Sequence, residues 1–342
     1  MAFIRRKTRE LAIVFDEYTI RFIEVTMKNN DIFHIHHLSA IENTILEEGV
    51  LNKEKWNELL KGYLKSNKIK AKIVKVIIPG SLVIIRHQTV PDLPMKELKQ
   101  IIQHEFGHSI HLPFNQPVFD LVKIESDSPV VNDEGEPAIQ VALVAAPGSF
   151  IYPLVEILRE NKMKPLIIDI PALSLYNIFT YRYPLLRDQV ILLAYITKHG
   201  VDLHILDHGI LSFTRHIPTE ITTFIRVEEN EVLDAQKLLE KIQEKENYQS
   251  FTSDFAYEIE RAVNFYQYTL NHRDKKLNGC WIASEIEFPE GFYHFLQERI
   301  DVTVQPLTYE GKDKSEEESN PYKGYEVGLG IFLRKAGMKH GN

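Results

Sequence analysis

The 342-residue sequence predicts an α/β fold built as two echoing halves. Three observations carry that prediction. Leu11 to Val14, Thr19 to Met27 and Ile32 to Leu38 are apolar, β-branched runs, the first two separated by the polar turn Asp16-Glu17-Tyr18; a helix and a further strand follow. Val190 to Thr197, Val201 to Leu206 and Ile210 to Ile217 repeat the three-strand pattern around the turns His199-Gly200 and Asp207-His208-Gly209. Between the halves, the strand-helix-strand-strand order from Leu82 to Pro165 interrupts the repeat and reads as an inserted subdomain.

The elements follow in order. Asn52 opens a helix in which Trp56, Leu59, Leu60, Tyr63 and Leu64 recur at helical spacing. Val74 to Ile78 is a buried strand ended by Pro79-Gly80. Leu82 to Val90 is a strand, and Pro94 starts a helix carrying Leu98, Ile101, Ile102, Glu105 and Phe106 that Pro113 stops. Phe119 to Ile124 and Ile139 to Ala145 pair around a polar loop, Glu125 to Pro137, whose composition predicts mobility. Phe150 to Asn161 is a helix, Pro165 to Ile170 a strand, and Ala172 to Tyr181 a helix. After the second set of strands come helices over Glu231 to Glu246 and Ser253 to Leu270, then a strand at Gly279 to Ala283. A helix from Glu290, a charged loop at Glu310 to Asn320 and a terminal helix near Tyr325 to Ala336 close the chain.

Composition bounds the function. Hydrophobic residues make up 44% and charged residues 26%, enough for a substantial core without staples. The single cysteine, Cys280, cannot form an internal disulfide and sits beside Trp281 in a predicted buried strand, which suits core packing in a reducing compartment. The longest apolar run, Val190 to Ile196, is far below a membrane span. Basic residues follow Met1-Ala2-Phe3-Ile4 directly, so no secretory leader is expected. A net charge of −8 argues against nucleic acid as a partner.

Seven segments stand in order along nearly the whole chain. They are Thr89-Val90-Pro91-Asp92-Leu93-Pro94 with Glu97-Leu98, Leu112-Pro113-Phe114, Val144-Ala145-Ala146-Pro147, Leu158 to Asp169, Gly209 to Pro218, Glu258 to Tyr266, and Val327-Gly328-Leu329-Gly330. With them the sequence resembles the PilM-type pilus-assembly proteins of the actin-like superfamily, which look like FtsA. The resemblance implies a two-lobed actin-like, ribonuclease H-like fold with an inserted SHS2-like subdomain 1C. Its subdomains would be 1A (residues 1–81, 166–187 and 328–342), 1C (82–165), 2A (188–226 and 277–327) and 2B (227–276). The family binds ATP, and a groove near 1A and 1C takes the short cytoplasmic tail of a PilN-type membrane protein. Carried onto this sequence, that groove would involve Ile84, Ile85, His87, Phe106 and Phe114.

The nucleotide motifs depart from the family pattern. Aligning on Arg21 to Val25 puts Val14 at the Asp, and Asp16 at the Gly, of the first phosphate loop. Aligning backward from Gly209 puts Tyr195 and Thr197 at the same positions of the second. Ala283, Ser284 and Glu285 replace three glycines of the adenosine loop, and Thr219-Glu220-Ile221 replaces a glycine pair. Phosphate needs a cradle of backbone N–H groups, and carboxylates there repel it. No cofactor is therefore expected, and the chain reads as a scaffold rather than an ATPase.

One sharp motif competes. His104-Glu105-Phe106-Gly107-His108 fits H-E-x-x-H, in which two histidines one helical turn apart bind Zn²⁺ and the glutamate serves as general base. The extended pattern would put glycine at His111 and histidine at Phe114, Gly107 weakens a helix, and Pro113 ends it. The motif therefore reads as a polar helix face with His111 nearby, and no metal is expected. His34, His36 and His37 read as strand surface, and Glu231 to Glu246 as a solvated face. No Gly-x-Ser-x-Gly, Walker or Rossmann pattern is present. The expected function is a cytoplasmic adaptor of a pilus, competence or type II secretion-like machine. It would be membrane-associated only through a PilN-like partner and the other assembly components, with an ATP-binding ATPase or a zinc hydrolase as the alternatives.

Overall fold

The computed structural model describes residues 7–47, 50–124, 129–132, 134–225, 235–270, 275–311 and 320–334. The chain divides into two compact units, residues 1–171 with 331–342, and residues 172–330.

In the first unit β1 (Thr8–Phe15), β2 (Thr19–Lys28) and β3 (Asp31–Glu42) form an antiparallel meander. A short hairpin, β4 (Leu46–Glu47) and β5 (Val50–Leu51), leads into α1 (Lys53–Ser66), where the Asn52 side chain accepts the Lys55 N–H as the predicted N-cap. β6 (Ile73–Ile77) then pairs with β1 in parallel. The inserted subdomain follows: β7 (Ile84–Pro91), α2 (Met95–Glu105), β8 (Pro117–Ile124), β9 (Val130–Val131) and β10 (Pro137–Pro147). α3 (Gly148–Glu160) and β11 (Lys164–Asp169) return to the main sheet, whose order is β11-β6-β1-β2-β3. The insert's own sheet runs β7-β10-β8, with Val90, Val141, Leu143 and Leu121 packing against Leu98 and Ile102 of α2.

The second unit repeats the plan. α4 (Pro171–Arg182) precedes β12 (Val190–Ile196), β13 (Gly200–Asp207) and β14 (Ile210–Pro218). After α5 (Ala235–Ile242) and α6 (Lys245–Asn264) come β15 (Cys280–Ser284), α7 (Glu290–Ile300), β16 (Val304–Pro306) and α8 (Glu326–Gly330). The sheet order β14-β13-β12-β15-β16 matches that of the first unit strand for strand, with β15 parallel to β12 as β6 is to β1. The two units are not drawn along the expected subdomain borders: residues 172–187 and 328–330, expected in 1A, group with the second unit.

Both central strands are shielded on both faces: Leu11 to Phe15 and all of β12 are buried. In the first unit Phe15 meets Trp56 and Phe150 edge-on, with ring centres 5.2 and 5.8 Å away. In the second, Phe251, Phe288 and Phe292 stack within 6.2 Å of one another. Buried charge is paired. Glu24 accepts from the backbone N–H groups of Lys70 and Ala71 at 2.7 and 2.6 Å and from Arg9 at 2.8 Å. Burial pushes its carboxyl up, but these donors outweigh it and hold the group below its ordinary pKa.

Several boundaries differ from the sequence prediction. The third strand continues to Glu42. α2 stops at Glu105, well before Pro113, because Phe106 turns extended and Gly107 takes φ +84°, a left-handed conformation that glycine tolerates. The helix placed over Glu231 to Glu246 breaks after Ile242, and the next one starts at Lys245 rather than Ser253. Buried Asn247 donates to the Lys241 carbonyl at 2.8 Å, taking up an acceptor freed by that break. The end of α6 widens into a π-helical turn, Phe265–Thr269, and β16 was not foreseen. Within the loop expected to be mobile, β9 pairs with β10, while residues 125–128 and 133 lie outside the described residues. So do residues 231–234, 312–319 and 335–336 of the expected acidic helix, charged loop and terminal helix; that last helix is described over five residues only.

Gly330 shows why the Val327-Gly328-Leu329-Gly330 segment needs small residues. A Cβ there would stand 2.0 Å from the Ser174 carbonyl oxygen, and the Ser174 hydroxyl donates to the Val327 carbonyl. Gly330→Ala should destabilise the protein by about 2 kcal/mol or more, read as a lowered denaturation midpoint in urea.

Two buried titratable groups set opposite pH responses. Burial raises Asp169 to about 6, opposed by Arg334 at 3.5 Å and by the Ile170 N–H. Burial lowers His204 to about 4, its Nδ1 lying 2.8 Å from the Thr214 hydroxyl. As pH falls through 6 toward 3.8, folded Asp169 takes a proton that the unfolded chain does not, so its contribution to stability rises. As pH falls from 6.5 toward 4, the unfolded chain protonates its histidine first, so the His204 contribution falls. Each effect amounts to roughly 3 kcal/mol. On acidification from neutral pH to about 4.5, where both groups titrate, Asp169→Asn should lose stability relative to wild type and His204→Gln should gain it. Thermal unfolding across pH checks both, and the reverse ranking would refute the assignment.

Candidate functional site

The expected loop positions fall into two groups, one in each unit. In the first unit the β1–β2 turn is closed by Asp16. Its Oδ1 accepts the Tyr18 and Thr19 backbone N–H groups at 2.8 and 2.6 Å. Its Oδ2 accepts the Thr19 hydroxyl and the Arg21 guanidinium, both at 2.5 Å. The Asp16 N–H donates to the Thr19 carbonyl at 3.0 Å, and the Asn43 side chain donates to the Asp16 carbonyl at 2.6 Å. Val14 is buried in the strand behind. A turn with unfilled N–H groups can receive an anion. Here a side-chain carboxylate is the anion, and the buried Arg21 neutralises it.

In the second unit, five of the named residues come together at one end of the sheet. Tyr195 pairs with Ala283 and Ile196 with Ser284 across β12 and β15. The Tyr195 hydroxyl donates to Glu285 at 3.1 Å, the Glu285 N–H donates to the Ile196 carbonyl at 3.0 Å, and the Ser284 hydroxyl accepts the Ile286 N–H at 3.0 Å. The turn into β13 closes on itself. The Thr197 hydroxyl donates to the Gly200 carbonyl at 3.1 Å and accepts the His199 N–H at 3.2 Å. Thr219 and Ile221 donate backbone N–H groups to the carbonyls of His199 and Lys198, while Glu220 holds the His199 ring at 2.9 Å. Each of these turns thus spends donors on the chain itself.

The five expected partner-binding residues do not share one surface. β7 is an edge strand, paired only with β10. Ile84 lines up with Ala145, on the sheet face that carries Val90 and the α2 core, whereas Ile85 and His87 point to the other face. Phe106 packs on the α2 core, edge-on to Phe119 at 5.0 Å. Phe114 is half-buried in the loop between α2 and β8.

The competing zinc motif is not on one helical face. α2 ends at Glu105, so His104 lies in its last turn and His108 beyond the left-handed Gly107. The Glu105 carbonyl accepts the N–H groups of His108, Ser109 and Ile110, and its carboxylate accepts the Ser109 hydroxyl. Among the described residues, no three His, Cys, Asp or Glu side chains are arranged to hold a metal. Cys280 is fully buried, and burial pushes its thiol well above the ordinary range, the opposite of a nucleophile.

Sequence reasoning missed Arg21. The signal was there: a carboxylate in the turn and an arginine two residues into the next strand form a pair across a tight hairpin. Its burial was not readable.

A family model for type IV pilus assembly protein PilM matches residues 13–308. Among solved structures, the chain is similar to the PilM–PilN type IV pilus biogenesis complex, at 17% identity and a TM-score of 0.71, over 95% of this chain and 97% of that one. It is also similar to ethanolamine utilization protein EutJ from Carboxydothermus hydrogenoformans, at 10% identity and a TM-score of 0.51, over 95% and 89%. A search of curated proteins found no match. At such identities the structural likeness shows the actin-like fold, and the family model goes further: the chain belongs to the PilM family of type IV pilus assembly proteins.

Proposed function

We propose that this PilM-family protein is a nucleotide-independent adaptor that holds the cytoplasmic tail of a PilN-like inner-membrane protein in a pilus, competence or type II secretion-like machine. The observation that carries the reading is Asp16: its carboxylate takes two backbone N–H groups of the first turn and is neutralised by Arg21. A triphosphate would have to displace a bonded anion from its own chain. The self-closed Thr197 turn and the Tyr195–Glu285 pair support the same conclusion, since neither presents a glycine cradle. On this reading the protein is no enzyme and needs no cofactor.

The partner reading rests on the family and on β7. An edge strand offers unpaired backbone groups to an extended peptide, and Ile85 and His87 lie half-buried on one of its faces. Ile84 and Phe106 on the opposite face, and Phe114 in the following loop, would shape the groove from behind. Juxtamembrane cytoplasmic tails tend to be basic, and a chain of net charge −8 attracts them and repels nucleic acid. No described helix is long and apolar enough to cross a membrane, so membrane attachment would come through the partner at its cytoplasmic face. The ATPase alternative requires the Asp16 turn to open. The zinc-hydrolase alternative requires a helical face that α2 does not provide.

Calorimetric titration with ATP–Mg²⁺ beside a synthetic PilN-like tail should give peptide binding and no nucleotide binding. Micromolar ATP binding would overturn the adaptor reading. Asp16→Gly should cost about 2 kcal/mol of stability, because Arg21 and two turn N–H groups lose their acceptor. It should not create ATP binding, because Thr197 and Glu285 remain; recovery of binding in that single variant would show that Asp16 alone closes the site.

A further inference from the structure

One end of the first unit is basic, in a chain that is acidic as a whole. β1, β6 and β11 run parallel and so begin at the same end of the sheet, where β2 finishes and β3 starts. α1 and α3 finish there too, since short connections lead from them into β6 and β11. The segments gathered at this end are residues 7–10, 24–31, 65–73 and 159–164. They carry ten basic and four acidic residues, a net +6 against the chain's −8. Two of the four acids are spent inside: Glu10 lies 3.0 Å from Lys75 and Glu24 2.8 Å from Arg9. Lys65, Lys68, Lys70 and Lys72, between the end of α1 and β6, are all exposed. So are Lys162 and Lys164 at the start of β11, and Lys7 and Lys28 at the ends of β1 and β2. None of these eight lysines is in an ion pair among the described residues. Phe33 adds an apolar point: it is 49% exposed, with the Lys7 and Lys28 ammonium groups 3.9 and 5.3 Å from its ring centre.

Unpaired like charges repel one another, so the cluster costs stability until an anionic surface faces it. Its composition says which surface. The charges are spread along one end of the unit, as a layer of lipid headgroups requires. Eight of the ten are lysine, a flexible point charge without the guanidinium fork that suits the reading of nucleic acid. An exposed aromatic ring set between lysines is the composition of an interfacial anchor. We propose that this end of the first unit binds the anionic phospholipid surface of a membrane directly, in addition to attachment through a partner. The inference rests on the adaptor reading only in that a membrane-protein tail would bring the chain beside a bilayer. The β7 edge takes no part in it.

The test is co-sedimentation of the full chain, without any partner, with vesicles of phosphatidylcholine containing roughly one-third phosphatidylglycerol. Partition should be about tenfold or more stronger than onto pure phosphatidylcholine, and added salt should release the protein. The triple variant Lys68→Gln, Lys70→Gln, Lys72→Gln should weaken partition by about tenfold or more, since each lysine near the surface is worth roughly fivefold. Phe33→Ala should weaken it by about threefold. A control triple variant, Lys96→Gln, Lys245→Gln, Lys276→Gln, removes exposed lysines elsewhere and should leave partition nearly unchanged. All seven side chains are exposed, so these variants keep the fold. Equal binding to neutral vesicles, or equal weakening by the control variant, would overturn the proposal. Binding to duplex DNA or polyglutamate as tight as to the vesicles at equal charge would also overturn it, by making nucleic acid or an acidic protein the occupant. Vesicle binding in a chain that fails to bind the PilN-like tail would support this surface while sinking the adaptor reading.

Discussion

Each half of this protein is organised around a central strand buried on both faces, and that constraint decides where polar chemistry can occur. β1 and β12 lie in the middle of five-stranded sheets with apolar side chains above and below. Polar groups within such strands are costly unless paired, so they collect at the strand ends. The turns that follow β1 and β12 are therefore the places where backbone N–H groups can face a ligand. In this chain the N–H groups of Asp16, Tyr18, Thr19, Thr197 and His199 are already taken.

How they are taken differs between the halves. The first turn uses a charge: Asp16 accepts from its own backbone and from Arg21. The second uses a neutral hydroxyl, Thr197, while the adjacent strand end is filled by the Tyr195–Glu285 bond. Two different solutions to the same unsatisfied-donor problem imply that the turns serve the stability of the chain itself. The core itself is held by sheet and helix burial in each unit.

On the proposed adaptor reading, the surface left for a partner lies in the inserted subdomain. β7 offers an extended edge in the inserted subdomain, suited to backbone pairing.

Much of this was legible in the sequence. The three-strand repeat was, because apolar β-branched runs and polar turns are local signals, and both sheets follow it. That side chains stand at Asp16, Thr197 and Glu285, where the family resemblance places glycine, was read from the sequence, since residue identity is visible in one dimension. What the sequence could not decide was set by long-range contact. It could not stop α2 at Glu105, because whether Gly107 bends or continues a helix depends on which conformation its surroundings favour. Nor could it divide Ile84 from Ile85 and His87, since one residue of register sends neighbours to opposite faces of β7. The burial of Arg21 was likewise unreadable, and the stacking of Phe251 on Phe288 and Phe292 joins residues that chain position does not bring together. Local pattern determined which elements form; tertiary burial decided which side chains meet, because contact between distant residues costs chain entropy that only the assembled core offsets.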